Sequence, residues 1–162
     1  MRDYTPQPVP KSIWKNPLHF IAFGFGSGAS PVAPGTAGTL AAIPFYVVMH
    51  FLSNNLYLLL LSIITIASMW LCDNVSKDIG VHDHGGMCID EIVGFLVTMY
   101  AVPFGIGWIV GGFLLFRLFD IWKPWPIGYI DRHVHGGFGM ILDDVLAGIY
   151  SCVILQIIRI FL

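Results

Sequence analysis

Long apolar segments without charge alternate with short polar stretches along this chain. The uncharged segments cover residues 40–52, 56–72, 92–116 and 145–158. Almost all of the ten acidic and eight basic residues fall in the N-terminal arm, in residues 73–91 and in residues 117–144. This pattern is typical of apolar helices in a low-dielectric medium, with the polar groups gathered outside them.

Turn-forming residues divide the apolar segments into helices. Residues 24–38 are rich in Gly and Pro, residues 53–55 are a short polar turn, and turns also fall at 103–107 and within 123–139. The pattern therefore predicts helices over residues 39–52, 56–72, 91–102, 107–121 and 141–161. It also predicts an N-terminal helix over 14–23, lying in a membrane interface, and a short helix over 74–79.

These helices form two hairpins that bring residues 24–38, 73–91 and 120–144 to one face. We expect an all-α, membrane-embedded helical bundle of five to six main helices, forming a single domain over residues 1–162 with an N-terminal arm at 1–16. The basic residues lie mainly on the polar face, so the positive-inside rule makes that face cytoplasmic. The predicted helix over 39–52 spans only about 20 Å. Full crossing and partial insertion of the short helices both remain open.

Composition supports the membrane assignment and excludes other classes. The chain has 162 residues, of which 56% are hydrophobic and 11% charged, against about 25% charged in soluble domains. The net charge of −2 and the lack of a basic patch with interleaved aromatics argue against nucleic acid binding. Three widely spaced cysteines match neither a disulfide framework nor a CxxC metal site.

Two pairs of adjacent carboxylates are candidate metal ligands. Asp90 and Glu91 begin the third apolar helix, and Asp143 and Asp144 begin the last. Mg²⁺ prefers oxygen ligands and is often held by one or two carboxylates together with substrate phosphate. The alternative is that acids in a first helical turn only stabilise the helix dipole.

Arg117, Asp120 and Lys123 follow one another at a spacing of three residues, close to the end of an apolar helix. An arginine in an apolar helix is a functional candidate by default, and lysine is a suitable point charge for phosphate. There are two structural alternatives. Arg117 and Asp120 form an internal ion pair, or Lys123 extends to lipid head groups by snorkelling.

The glycine-rich segment 24–38 is a candidate anion site. Successive glycines allow backbone N–H groups to converge on an anion, and the segment leads into a helix N-terminus. Gly35 belongs to this segment, and hydroxyls at Ser27, Ser30 and Thr36 are further substrate-binding candidates. The segment matches neither GxxxxGK[ST] nor GxGxxG, so it does not indicate nucleotide binding.

A histidine-rich loop supplies candidate proton-transfer groups. His82, Asp83 and His84 lie in the sequence GVHDHGG, where they are suited to general acid–base work or to a transition metal. A polar interfacial loop is the alternative. No Cys is followed six residues later by Arg, and no DxDx[TV] or GxSxG motif occurs. These absences argue against the cysteine, DxDx[TV] aspartyl and GxSxG serine mechanisms, while an aspartyl-phosphate at Asp83 or Asp120 stays open.

Four motifs together resemble the phosphatidylglycerophosphatase A family. They are GFGSGASPVAPGTAGTLAAIP, VHDHGGMCIDEIVGF, FRLFDIWKPWPI and DRHVHGGFGMILDDVLAG, and they occur in the family's order over about residues 16–150. The resemblance implies a bacterial inner-membrane lipid phosphatase that uses Mg²⁺ to hydrolyse phosphatidylglycerol phosphate. It implies that the metal ligands are Asp90, Glu91, Asp143 and Asp144. It also implies that the catalytic residues are His82, Asp83, His84, Arg117, Asp120 and Lys123.

A small ion or metal carrier is the rival interpretation, because paired carboxylates and an intramembrane charge also suit a cation path. The charged residues lie at one face of the predicted bundle and are not distributed along the helices. Residues 56–72 and 106–115 carry no charge. The charge pattern therefore favours an enzyme acting on a phospholipid over a carrier.

Overall fold

The computed structural model describes residues 8–81 and 84–161, and within these ranges the chain is helical, without strands. Short 3-10 segments cover Lys11–Trp14 and Ser27–Ala29. The α-helices are α1 (Pro17–Ala22), α2 (Pro34–His50), α3 (Asn54–Ile79), α4 (Ile89–Thr98), α5 (Ile106–Trp122), α6 (Ile127–His133) and α7 (Gly136–Phe161). The all-α prediction is confirmed.

Helix α4 is the centre of the bundle. It packs mainly on α7 and also contacts α2, α3 and α5, and nearly all of its side chains are buried. Small residues allow the backbones of α4 and α7 to approach closely: a Cβ on Gly94 would lie 2.8 Å from the Asp144 carbonyl oxygen, and one on Gly148 would lie 2.5 Å from the Gly94 carbonyl oxygen. This close approach places the middle of α7 against α4.

Helices α3 and α7 are long and apolar enough to cross a membrane. Each has 26 residues, which corresponds to about 39 Å, more than the ~30 Å of a hydrocarbon core. Only 28% and 39% of their most apolar windows are buried inside the protein, so much of their surface faces outward. Helix α4, with 10 residues, extends only about 15 Å and is too short to span.

Several helix boundaries differ from the predicted ones. Helix α3 runs without a break through the predicted short helix at 74–79 and ends at Gly80, which has a φ of +69°. Helix α2 begins at Pro34 instead of residue 39, since proline is well suited to the first helical position. Helix α7 begins at Gly136 instead of residue 141. The second carboxylate pair therefore lies inside a helix and not at its start.

Different segments of the chain meet at the two ends of the bundle. At one end, the turns after α2 and α4 meet the end of α7, where the Arg159 guanidinium donates to the Ala101 carbonyl over 3.0 Å. At the other end, the glycine-rich segment and the start of α4 meet the end of α5, α6 and the first turns of α7. All candidate site residues that the structure describes belong to this second end.

Candidate active site

A group of three carboxylates lies where α4 and α7 meet. Asp90 and Glu91 occupy the first turn of α4, while Asp144 lies about two turns inside α7. One oxygen of each carboxylate lies within 4.8 Å of the other two. Asp144 is buried and is far from a helix N-terminus, so favourable interaction with the helix dipole does not account for it. Three close carboxylates need a cation or protons to be stable together.

Arg117 of α5 brings positive charge to this group. Its Nη1 lies 2.5 Å from Asp120 Oδ2 and 3.9 Å from Glu91 Oε1, and all three side chains are largely buried. Within the part of the chain that the structure describes, Glu91 Oε2 and Arg117 Nε are buried without a hydrogen-bond partner. Buried polar atoms are normally paired, so these two atoms indicate that the site accepts a further polar ligand.

The N-terminus of α2 closes the site from a third side. A Cβ on Gly35 would overlap Glu91 Oε1 and would lie 3.1 Å from Arg117 Nη1. The first backbone bond of the helix joins the Ala37 N–H to the Ala33 carbonyl. The N–H groups of Gly35 and Thr36 precede that bond and have no intrahelical acceptor. Such a terminus favours anions, and here it lies beside an arginine.

Lys123 forms a second ionic group with two aspartates. Its Nζ donates to Asp143 Oδ2 over 2.6 Å and to Asp131 Oδ1 over 2.8 Å. Asp143 is adjacent to Asp144 in sequence, but successive helical residues point about 100° apart. In this structure Asp143 therefore faces Lys123, and the close carboxylate group consists of Asp90, Glu91 and Asp144. Sequence reasoning missed Asp131, a single acid in a polar segment whose relation to Lys123 arises only from folding.

The predicted hydroxyl candidates differ in their local roles. Ser27 Oγ donates to the Gly24 carbonyl over 2.7 Å, and Ser30 Oγ donates to the Val32 carbonyl over 2.8 Å. Both hydroxyl hydrogens thus stabilise the glycine-rich segment itself. Thr36 lies in the first turn of α2, directly after Gly35. Of these hydroxyl residues, only Thr36 is next to the glycine that approaches Glu91 and Arg117.

His84 is buried beneath the glycine-rich segment. The Gly86 N–H donates to its Nδ1 over 3.1 Å, and its ring lies against Phe23 with centroids 5.2 Å apart. Because Nδ1 accepts a hydrogen bond, the neutral ring carries its proton on Nε2, which is buried without a partner among the described residues. His82 and Asp83 lie outside the described residues, so their roles stay predictions.

Burial and like charge shape the electrostatics of the site. The pKa of Glu91 is raised to about 8, chiefly by burial, with Asp144 and Asp120 adding to the increase while Asp90 and Arg117 oppose it. Burial lowers the pKa of Lys123, but Asp143 and Asp131 outweigh this effect and the pKa is raised overall. Lys123 is therefore a permanent cation. A positive partner beyond Arg117 would favour the carboxylate form of Glu91.

Cys88 is excluded as a nucleophile. Burial first, and then the neighbouring Glu91 and Asp90, raise the pKa of its thiol well above the ordinary value. Its Sγ lies 3.3 Å from the carbonyl oxygens of Pro34 and Gly86. A protonated thiol is not the reactive form of cysteine, so Cys88 serves to pack the glycine-rich segment against α4.

Buried carboxylates beside an arginine and a helix N-terminus, in an all-helical protein, are groups suited to binding a phosphate ester through a cation. Comparison with known proteins agrees. The family model of Phosphatidylglycerophosphatase A matches residues 20–159. The chain therefore belongs to the phosphatidylglycerophosphatase A family, which confirms the resemblance and the prediction of a phosphoric monoester hydrolase.

Three curated relatives cover most of the chain. The Phosphatidylglycerophosphatase A of Escherichia coli (strain K12) is 49% identical over 153 residues, which are 93% of this chain and 89% of the relative. The Phosphatidylglycerophosphatase A of Haemophilus influenzae is 40% identical over 154 residues, 94% of each. A Bacteroides thetaiotaomicron protein described as a candidate phosphatidylinositol-3-phosphatase is 37% identical over 147 residues, 86% of this chain and 91% of the relative. No solved structure matches the chain.

Proposed function

We propose that this protein is a membrane-embedded, Mg²⁺-dependent phosphatase that converts phosphatidylglycerol phosphate to phosphatidylglycerol and phosphate. Family membership and the names of the relatives from E. coli and H. influenzae support the substrate. The observation that carries the proposal is the meeting of Asp90, Glu91 and Asp144 with Arg117 beneath the first turn of α2.

The three close carboxylates fit a hard divalent cation. Their oxygens lie within 4.8 Å of one another, and Glu91 Oε2 is buried and unpartnered among the described residues. Asp90, Glu91 and Asp144 would hold the ion, while Asp143, the fourth predicted ligand, is engaged by Lys123. A bound Mg²⁺ supplies positive charge that polarises the phosphoryl group and offsets the repulsion between carboxylates and phosphate.

The protein's own cations and N–H groups would orient the phosphate. Arg117 is held by Asp120 through Nη1, which leaves other guanidinium N–H groups for phosphate oxygens. The free N–H groups of Gly35 and Thr36 point from the α2 N-terminus and would share the charge on the phosphoryl oxygens. Lys123 remains charged, and Asp131 and Asp143 fix its position. Together these groups stabilise the charge that develops during hydrolysis.

Proton transfer requires a base for water and an acid for the leaving alkoxide. The Nε2–H of His84 is a donor without a partner among the described residues. Loss of that proton from the neutral ring would leave an imidazolate, so His84 can act as the acid only after Nδ1, which accepts from the Gly86 N–H, takes up a proton. From sequence, His82 is a second candidate acid and Asp83 is a candidate base. A carboxylate of the metal group is a further candidate base. No covalent intermediate is required by this assignment.

Membrane embedding explains the outer surface of the bundle. Leu59, Ile66 and Trp70 of α3 and Val153 of α7 are each at least half exposed, which water would disfavour and lipid tails would not. Basic residues gather at the active-site end, and Arg159 lies at the other. By the positive-inside rule, the active-site end faces the cytoplasm. The phosphate of a lipid in the inner leaflet then lies level with the site.

Phosphate release by the purified protein tests the proposal. We expect release from phosphatidylglycerol phosphate in micelles with Mg²⁺ and its loss with a chelator, restored by excess Mg²⁺. Phosphatidic acid in parallel tests whether the glycerol head group is needed. Undiminished release in chelator would contradict the metal assignment, and no release under any condition would contradict the substrate.

A further inference from the structure

A cavity of about 260 Å³ lies at the end of the bundle opposite the candidate active site. Residues from the ends of α2, α4 and α7 and from the start of α3 line it. Arg159 and Asp144 are both on α7, so the two sites are separated by about 23 Å along the helix. The cavity is thus a separate site that the proposed phosphatase reaction does not use.

Arg159 dominates the charge of this cavity. The segments that form this end, residues 40–52, 56–72, 92–116 and 145–158, carry no charged residue, so no carboxylate of these segments neutralises the guanidinium. One of its N–H groups donates to the Ala101 carbonyl over 3.0 Å. A guanidinium has five N–H donors, so most of them are available to a ligand.

Other donors face the same cavity. Asn54 begins α3, where the Ser53 hydroxyl accepts from the Leu56 N–H. The other N–H groups of this first turn lack intrahelical acceptors and favour anions. His50 also lines the cavity and lies over Phe104 with ring centroids 5.0 Å apart. The neighbouring carbonyl of Tyr100 already accepts a hydrogen bond from Gln156 over 3.0 Å. The cavity therefore offers cationic and N–H groups, and two carbonyl oxygens beside it, those of Tyr100 and Ala101, already accept hydrogen bonds.

We propose that this cavity binds the phosphate group of an anionic phospholipid in the leaflet opposite the active site. The volume is below that of sites for drug-sized ligands, so it suits a head group and not a whole lipid. Exposed Phe51 and Phe104 pack against His50 of the cavity lining, and acyl chains would continue along the bundle from there. The leaflet assignment rests on the proposed membrane embedding, whereas the phosphate site itself does not.

Native mass spectrometry of the detergent-purified protein tests this inference. We expect Arg159→Gln to retain fewer phosphatidylglycerol molecules than the wild type. The apparent affinity for the molecule bound in the cavity should be at least tenfold weaker. Arg132→Gln removes an exposed arginine at the other end and is expected to match the wild type. Diacylglycerol, which lacks phosphate, is expected to bind equally to all three proteins.

The remaining outcomes would overturn the inference. Equal phosphatidylglycerol retention by the wild type and Arg159→Gln shows that the cavity does not hold the lipid. Binding of inorganic phosphate, detected as an Arg159-dependent thermal stabilisation without any lipid effect, identifies a free anion as the ligand instead. Because bound lipid is measured, a wild type that releases no phosphate from its substrate would contradict only the proposed reaction.

Discussion

Asp144 is the residue whose position most directly argues for a cation. It is buried two turns inside α7, beside two carboxylates of α4, where neither solvent nor the helix dipole stabilises its charge. Its neighbour Asp143 has a lysine partner at 2.6 Å. Two adjacent aspartates on one helix therefore have different surroundings, which the sequence pair alone did not distinguish.

Asp144→Asn is expected to lower the rate of phosphate release by about a hundredfold or more, because a divalent site contributes several kcal/mol of charge stabilisation. Removing one negative charge from a buried acidic group does not harm folding, so the thermal midpoint in chelator should stay the same or rise. Asp73→Asn is the matched control and should retain wild-type activity, because half-exposed Asp73 pairs with Lys77 and an asparagine oxygen can still accept from the Gly137 N–H of α7. Wild-type turnover by Asp144→Asn would rule out its role as a ligand.

We expect Asp131, which contacts Lys123 over 2.8 Å, to be a positioning residue that acts through this lysine. Replacing it by Asn leaves Asp143 as the remaining acidic partner, so the lysine would lie closer to Asp143 and farther from substrate phosphate. We expect Asp131→Asn to reduce kcat/KM by roughly tenfold, as for other residues that orient a functional group, with Asp131→Glu restoring part of the loss. A change in thermal midpoint with unchanged kinetics would instead assign Asp131 a structural role.

At the scale of helices, α2 and α7 explain what the sequence could and could not predict. The all-helical fold followed from uninterrupted apolar segments, and the acids in the first turn of α4 were placed correctly. The predicted starts of α2 and α7 were wrong, because the Gly and Pro residues there were interpreted as helix breakers. In the folded protein, Gly35 permits close contact with Glu91, and Gly137 permits contact with the Met69 carbonyl. Such contacts depend on packing partners distant in sequence.

For the candidate site, too, the sequence predicted one part of the arrangement and could not predict the other. Residue types and spacing sufficed to select Asp90, Glu91, Arg117 and Lys123, since charges in apolar surroundings are conspicuous. The pairing of Lys123 with Asp131 could not be derived from spacing, because α6 and the loop before it decide where that aspartate lies. Sequence identified the chemical groups, and packing determined which of them face one another.

The close approach of α2 to the active site predicts the effect of one added methyl group. Gly35→Ala places a Cβ against Glu91 Oε1 and near Arg117, so both side chains must move. We expect kcat/KM to fall by about a hundredfold, the cost of misplacing reacting groups by about 1 Å. Gly107→Ala in the first turn of α5 is the control, since nothing lies within 4 Å of its added Cβ. Equal activity of the two variants would show that α2 does not shape the site.

For the whole molecule, the fold places two differently charged ends about one bilayer apart. Helices α3 and α7 supply the length, while the half-length α4 ends inside the bundle. A short central helix allows its acidic first turn to lie at the active-site end while its last turn remains buried among apolar neighbours. This arrangement concentrates the charges at one end of the bundle, which is where a lipid phosphate would enter in the proposed membrane orientation.

Labelling from each side of the membrane tests this organisation. In a variant whose native Cys72, Cys88 and Cys152 are replaced by alanine, a single cysteine is introduced at exposed Asn55 or at exposed His133. A membrane-impermeant maleimide applied to right-side-out vesicles is expected to label Asn55→Cys, and inverted vesicles are expected to expose His133→Cys. The reason is that α3 and α7 are long enough to separate the two ends by a hydrocarbon core.

Phosphate release by the cysteine-free protein confirms that it is folded. Labelling of both positions from one side would refute the spanning arrangement, and labelling of each from the reverse side would place the active site outside the cytoplasm.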